Sequence, residues 1–206
     1  AAKAYVASVV VAGLATVLHS ASTLYSEPIG PQWLILAALT VLTGSFTIKV
    51  PSITARISVS ETFVFASVLL FGAAAGTLTV LLETLIISLW LKPQARSLSR
   101  LMFNIAAPAI SIWLSATMFY RWPGMQPYSQ QATPLADLFM PLAILTVSYF
   151  LANSWLVAIA LAFERQQSAA EIWWKNFTWL SVNYFSGASL AALIVTYTRN
   201  LELSTL

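Results

Sequence analysis

The stretch that decides the fold runs from Pro51 to Leu91 and reads PSITARISVSETFVFASVLLFGAAAGTLTVLLETLIISLWL. It begins as a polar loop, becomes apolar at Thr62 and stays apolar to its end, with Glu83 as the acidic exception. A run of small residues, Gly72-Ala-Ala-Ala-Gly76, interrupts the apolar part. Whether this stretch forms one long helix or two determines the topology of the rest of the chain.

The composition is that of an integral membrane protein. Hydrophobic residues make up 59% of the 206 positions and charged residues 8%, against about 45–50% and 25% in soluble domains. The mean hydropathy is +0.79. The absence of cysteine excludes disulfides, thiolate metal sites and cysteine nucleophiles.

Apolar segments separated by polar or Pro/Gly-rich turns fill the chain. A segment of about 20 apolar residues can span a bilayer. The segments are 4–23, 33–48, 58–72, 74–91, 101–120, 140–163 and 177–198. We therefore predict an all-α polytopic transmembrane helix bundle, with residues 1–206 as a single integral membrane domain of about seven spans that include a short helical hairpin.

Residues 62–91 could cross the membrane once or twice. One helix would be about 45 Å long, against a hydrocarbon core of about 30 Å. In a hairpin the first arm reaches only about 22 Å, even when it is counted from Ser58. That arm would have to lie in a thin membrane, tilt, or be partly sunk in protein.

The basic residues favour two crossings. A hairpin leaves Arg121 and Arg199 on one face and the other basic residues on the opposite face; these are Lys3, Lys49, Arg56, Lys92, Arg96, Arg100, Arg165 and Lys175. A single crossing divides the basic residues five to five. The positive-inside rule then predicts seven spans with a cytoplasmic N-terminus. The Gly72–Gly76 run becomes the turn of the hairpin, and its small residues could also let the two arms approach closely.

Four segments carry a family resemblance, in order along nearly the whole chain. They are VPSITARISVSETFVFASVLLFG at 50–72, RLMFNIAA at 100–107, YFLANSWLV at 149–157, and the set Trp179, Tyr184, Phe185, Gly187, Ala188 and Ala191. Together they resemble the MASE-type N-terminal sensor regions of bacterial signalling proteins that carry HD-GYP phosphodiesterase or GGDEF diguanylate cyclase domains.

The resemblance implies a sensory or regulatory module of the bacterial inner membrane. A ligand or a membrane state would act, through a further helix, on a cytoplasmic output domain that turns over cyclic di-GMP. Seven spans would leave the C-terminus outside, so we expect the sequence to stop short of that helix. The chain contains no HD-GYP or GGDEF motif and no catalytic constellation, and we expect these residues not to be an enzyme themselves.

The first candidate site is a polar pocket around Glu83. Asn153, Ser111 and Ser67 occupy similar depths in their own spans and could form hydrogen bonds with this carboxyl group. Carboxylates inside a membrane usually face the bundle interior or a wet cavity. The pocket would be a ligand or proton site; the alternative is a neutral Glu83 whose hydrogen bonds only fix helix packing.

A second polar set, Glu61, Asn104 and Asn183, falls about one turn inside the cytoplasmic ends of its spans. Glu61 also suits the first turn of a helix, where a carboxylate interacts favourably with the helix dipole. Arg100 or Arg56 could pair with it. The simpler interpretation of Glu61 is therefore capping.

His19, the single histidine, could ligate haem or the magnesium of a chlorophyll. A histidine near a helix end is more often just tolerated there, so we expect no cofactor and no metal.

The expected partners are membrane lipids and a homo-oligomer or larger membrane complex, not nucleic acid. Two other functions stay open: a non-catalytic accessory subunit of an energy-converting or photosynthetic complex, and a transporter subunit that resembles the substrate-binding S-components of ECF transporters.

Overall fold

A computed structural model describes residues 2–45, 48–49, 56–57, 59–91, 98–128 and 134–200. The helices are α1 (Ala2–Ser26), α2 (Gln32–Ser45), α3 (Ser60–Phe71), α4 (Ala73–Ile86), α5 (Leu98–Tyr120), α6 (Leu135–Arg165), α7 (Ala169–Asn176) and α8 (Leu180–Asn200). A π-helical segment, Ile87–Leu91, continues α4. Two-residue strands, β1 (Ile48–Lys49) and β2 (Arg56–Ile57), pair antiparallel between α2 and α3. The predicted helical bundle is confirmed, and this short ladder was not predicted.

Four helices are long and apolar enough to cross a membrane by length and composition. They comprise Ala2–Ser26, Leu98–Tyr120, Ala136–Arg165 and Leu180–Tyr197. Three shorter apolar helices accompany them: Gln32–Ser45, Ser60–Phe71 and Ala73–Leu89. The chain is therefore a multi-pass membrane protein with a helical bundle.

The apolar stretch breaks at Gly72, as its small residues predicted. Gly72 has φ 98° and ψ −179°, a conformation that residues with a Cβ rarely adopt. After it, α4 runs back along α3. Gly76 lies against Val68, with no room for a Cβ, and the Ser60 hydroxyl donates a hydrogen bond to the Glu83 carboxylate. The two contacts, one near the turn and one at the open end, define an antiparallel hairpin.

The short arm, α3, is sunk in protein, one of the three possibilities that the sequence left open. Its 12 residues rise only about 18 Å, and eight of them are buried. Helices α2, α4 and α8 pack around it. At its C-terminus, the Leu69 carbonyl accepts a hydrogen bond from the Tyr128 N–H (2.9 Å), and the Val68 carbonyl accepts one from the Tyr120 hydroxyl. The Tyr128 N–H thus satisfies a carbonyl that the helix end leaves free, whereas the Val68 carbonyl also accepts a hydrogen bond from the Gly72 N–H (2.8 Å).

Contacts along the bundle show which helix ends lie together. Near the start of α1 and α5, Tyr5 packs on Phe103 with ring centroids 6.3 Å apart, and the Tyr5 hydroxyl donates to the carbonyl of Leu156 on α6 (2.9 Å). Arg100 forms an ion pair with Glu164. We call this end, with Ala2, Leu98 and Arg165, the N-end. The opposite end, with Ser26, Gly72 and Tyr120, is the Gly72 end.

Helix α7 lies at the N-end and is amphipathic. Trp173 stacks on Trp155 (5.5 Å, 11°), and its indole N–H donates to Ser154 Oγ (2.8 Å). On the other side Trp174 is 70% exposed. The Lys175 ammonium donates a hydrogen bond to Glu171 (2.7 Å) and so holds the pKa of that carboxyl below its usual value. These features suit a helix at a membrane–water interface.

Candidate functional site: an acidic pair in the α3–α4 hairpin

Two acidic residues, Glu61 on α3 and Glu83 on α4, lie within electrostatic range of each other at the N-end. The sequence assigned them to separate sites, and the antiparallel hairpin joins them. Glu83 accepts the hydrogen bond from Ser60. Glu61 Oε2 is buried and has no hydrogen-bond partner among the residues that the structure describes. Glu61 falls in the first turn of α3, where its charge suits the helix dipole, but no side chain in the described structure makes a capping hydrogen bond there.

Two glycines allow neighbouring helices to pack closely on these two residues. On α2, a Cβ at Gly44 would collide with Glu83 Oε1 and come within 2.9 Å of Ile87 Cδ1. On α8, a Cβ at Gly187 would lie 3.0 Å from Glu61 Cβ and 3.2 Å from the backbone nitrogen of Thr62. Each acid is therefore packed against the backbone of a neighbouring helix.

Tyrosines extend the polar site towards α6 and α8. Tyr149 and Tyr184, whose ring centroids lie 5.1 Å apart, are both within electrostatic range of Glu61 and Glu83. The side-chain amide of Asn153 donates to the Tyr184 hydroxyl (2.8 Å). The pair, both tyrosines and Asn153 thus form one polar cluster contributed by α3, α4, α6 and α8.

Of the three residues predicted to surround Glu83, Asn153 belongs to this cluster, through its hydrogen bond to Tyr184. Ser111 is buried, but its hydroxyl donates to the Ala107 carbonyl of its own helix (2.7 Å). The Ser67 hydroxyl is buried without a partner among the described residues. No contact in the described structure places Ser111 or Ser67 against Glu83.

The second predicted set is also divided. Asn104 is exposed on α5, whereas Asn183 is half-buried on α8, one turn before the Gly187 that touches Glu61. Arg100, a suggested partner of Glu61, forms an ion pair with Glu164. The side chain of Arg56, the other suggestion, lies outside the described residues.

His19 lies at the other end of the bundle. It is exposed, and its ring meets Trp113 edge-on with centroids 5.9 Å apart. Within the described residues no group of three His, Cys, Asp or Glu side chains could hold a metal ion. The haem or chlorophyll possibility at His19 stays untested.

At the acidic pair, negative charge has a high free-energy cost. Two ionised carboxylates close together in a poorly solvated environment repel each other and lose their hydration. The pair therefore holds one negative charge at a lower free-energy cost than two. A proton, a cation or a small movement of α4 against α3 would each change that cost.

The family follows from comparison with known proteins. A family model, MASE9, matches residues 11–204. The chain belongs to the MASE9 family. This is one of the MASE families, the membrane-associated sensors, so the resemblance to a MASE-type region is confirmed. Searches of the curated proteins and of the solved structures gave no match.

Proposed function

We propose that this MASE9 domain is the sensory module of a bacterial inner-membrane signalling protein. A ligand or a membrane state would change the packing of the α3–α4 hairpin against α8 and so bias a cytoplasmic output domain. By resemblance, that output is the synthesis or breakdown of cyclic di-GMP. The domain itself supplies no catalytic step. The observation that carries the proposal is the Glu61–Glu83 pair, in which Glu61 Oε2 is buried.

The pair suits a switch because it joins three helices through a small number of contacts. Glu83 belongs to α4, Glu61 to α3, and the backbone at Gly187 of α8 lies against Glu61. Proteins switch when an input favours one of two packings over the other. Since the cost of charge at this site depends on the separation of the two carboxyls, a helix shift would change the energy of both packings.

The proposed topology has seven passes and a cytoplasmic N-terminus. Four basic residues belong to the N-end: Lys3, Arg100, Arg165 and Lys175. Arg121 follows α5 at the Gly72 end. Short loops rich in Lys and Arg stay in the cytoplasm. The acidic pair then lies near the cytoplasmic face, where an output domain would be.

The test is Glu83→Gln in the full-length protein, measured by cyclic di-GMP turnover in native membranes. Glutamine keeps the shape of the side chain and removes the charge. We expect the ratio of stimulated to basal output to change at least several-fold. The matched control is Glu164→Gln, an exposed glutamate at the same end. Unchanged output from Glu83→Gln, or an equal change from both variants, would remove the support for the proposal.

A further inference from the structure

A groove of about 770 Å³ opens at the Gly72 end, on the side opposite to the acidic pair. Its walls are formed by the last turns of α1, the turn that follows α1, the start of α4, the end of α5 and residues 125–127. Its size falls within the range of about 300–1,000 Å³ that is typical of small-molecule sites. It is separate from the Glu83 pocket that the sequence suggested.

The walls combine aromatic surface with one acid. Phe71, Trp113 and Tyr120 supply the rings, and Glu27 and His19 lie on the α1 side. None of the described residues that line the groove is a lysine or an arginine. Glu27 is therefore the acidic residue of a lining that also contains three aromatic rings.

We propose that this groove binds a small organic cation with an apolar body. Aromatic faces attract cations through their quadrupoles, and the Glu27 carboxylate adds a full opposite charge. The α4 N-terminus, at Ala73 and Ala74, also lines the groove and favours anions, but with only about half a unit charge. The full negative charge of Glu27 and the aromatic rings therefore favour a positively charged ligand.

A bound cation would touch α4, the helix that carries Glu83. Ala73 and Ala74 form the first turn of α4, and Glu83 lies further along the same helix. A ligand that shifts the start of α4 therefore acts on the contact between Glu83 and Ser60. In this respect the inference rests on the proposed function and names the class of ligand that would be sensed.

The experiment measures binding to the full-length protein in lipid nanodiscs by isothermal titration. The probes are phenethylammonium, 2-phenylethanol and 3-phenylpropanoate, which share an aromatic body and differ in charge. We expect phenethylammonium to bind at least tenfold more tightly than either of the others. Equal or tighter binding of the alcohol or the carboxylate would overturn the inference.

Variants locate the binding site. Glu27→Gln should weaken phenethylammonium binding at least fivefold, and Trp113→Leu should do the same with an unchanged unfolding temperature. The matched control is Asp137→Asn, which removes one exposed negative charge at the start of α6, outside the groove. If Glu27→Gln binds as the parent protein does, or if Asp137→Asn weakens binding equally, the groove is not the site.

This measurement is independent of signalling. Selective cation binding together with a silent Glu83→Gln variant would retain the groove and reject the proposed switch. The reverse result, an active switch without cation preference, would reject the groove and retain the sensory function.

Discussion

The Ser60 hydroxyl donates a hydrogen bond to the carboxylate of Glu83. This contact closes the open end of the α3–α4 hairpin, since Ser60 is the first residue of α3 and Glu83 lies in the last turn of α4. It also places the charge of Glu83 beside Glu61, the next residue of α3. The hairpin and the acidic pair are therefore one structural feature.

A side chain at Gly44 should displace the carboxyl group of Glu83, which occupies the space. Gly44→Ala would drive a Cβ into Glu83 Oε1 and towards Ile87. We expect a loss of about 1–3 kcal/mol in the free energy of unfolding, reduced by the gain of about 1 kcal/mol that alanine has over glycine in a helix. Denaturant titration in detergent measures the loss.

The control for Gly44→Ala is the double variant with Glu83→Ala, which removes the colliding carboxyl. We expect the two changes together to cost less than the sum of the single changes, with a coupling of about 0.5–3 kcal/mol. Strictly additive costs would show that Gly44 and Glu83 do not meet.

Trp33 should stabilise the packing of α2 on α4 through its indole N–H. That group donates to Thr79 Oγ1 (2.9 Å) and more weakly to the Ala75 carbonyl (3.3 Å). Trp33→Phe should therefore lower the free energy of unfolding by about 0.5–1.5 kcal/mol. The control, Trp174→Phe, changes a ring that is 70% exposed and should leave stability nearly unchanged. Equal costs for both variants would contradict the assigned hydrogen bond.

The fold was predictable from sequence to the level of the hairpin. Composition gave the membrane bundle, and the basic residues gave the two arms. Hydropathy alone was insufficient to identify α3 as a separate arm, because a helix of 12 residues is too short to span a bilayer on its own. Tyr120 and Tyr128, which cover its C-terminus, are 52 and 59 positions away from their partners (120 − 68 and 128 − 69), and a local pattern does not show such contacts.

The acidic pair was predictable in principle from the hairpin itself. Glu61 precedes Gly72 by 11 residues and Glu83 follows it by 11 (72 − 61 and 83 − 72). A turn at Gly72 therefore sets the two residues opposite each other. We compared Glu83 with other residues only by their depth along the spans. That comparison did not show this relationship and suggested Ser111 and Ser67 instead. The roles of Tyr149 and Tyr184 required the packing of α6 and α8, for which the sequence holds no local signal.

Gly187 should control how closely α8 approaches α3. The Cβ of Gly187→Ala would lie 3.0 Å from Glu61 Cβ and 3.2 Å from the Thr62 nitrogen, closer than ordinary van der Waals contact. We expect a loss of about 1–3 kcal/mol in the free energy of unfolding, reduced, as at Gly44, by the gain of about 1 kcal/mol that alanine has over glycine in a helix. Ser186→Ala, at the exposed neighbouring position, is the control and should change stability little. If both variants unfold alike, the close approach at Gly187 does not contribute to stability.

The seven-pass topology predicts which positions are accessible from outside the cell. The protein has no cysteine, so Ser26→Cys, Gln126→Cys and Gln167→Cys each introduce a single thiol at an exposed position. If α3 and α4 each cross the membrane, α2 to α5 make four crossings, and positions 26 and 126 share the outer face. A membrane-impermeant maleimide should then label both in intact spheroplasts.

Position 167 lies one crossing beyond position 126, after α6, and should be labelled only after lysis. If α3 and α4 made one crossing between them, positions 26 and 126 would face opposite sides, and one of them would be protected in spheroplasts. Labelling of position 167 without lysis, with positions 26 and 126 protected, would reverse the orientation and place the acidic pair near the outer face. The same three variants thus test both the hairpin and the cytoplasmic location of the proposed switch.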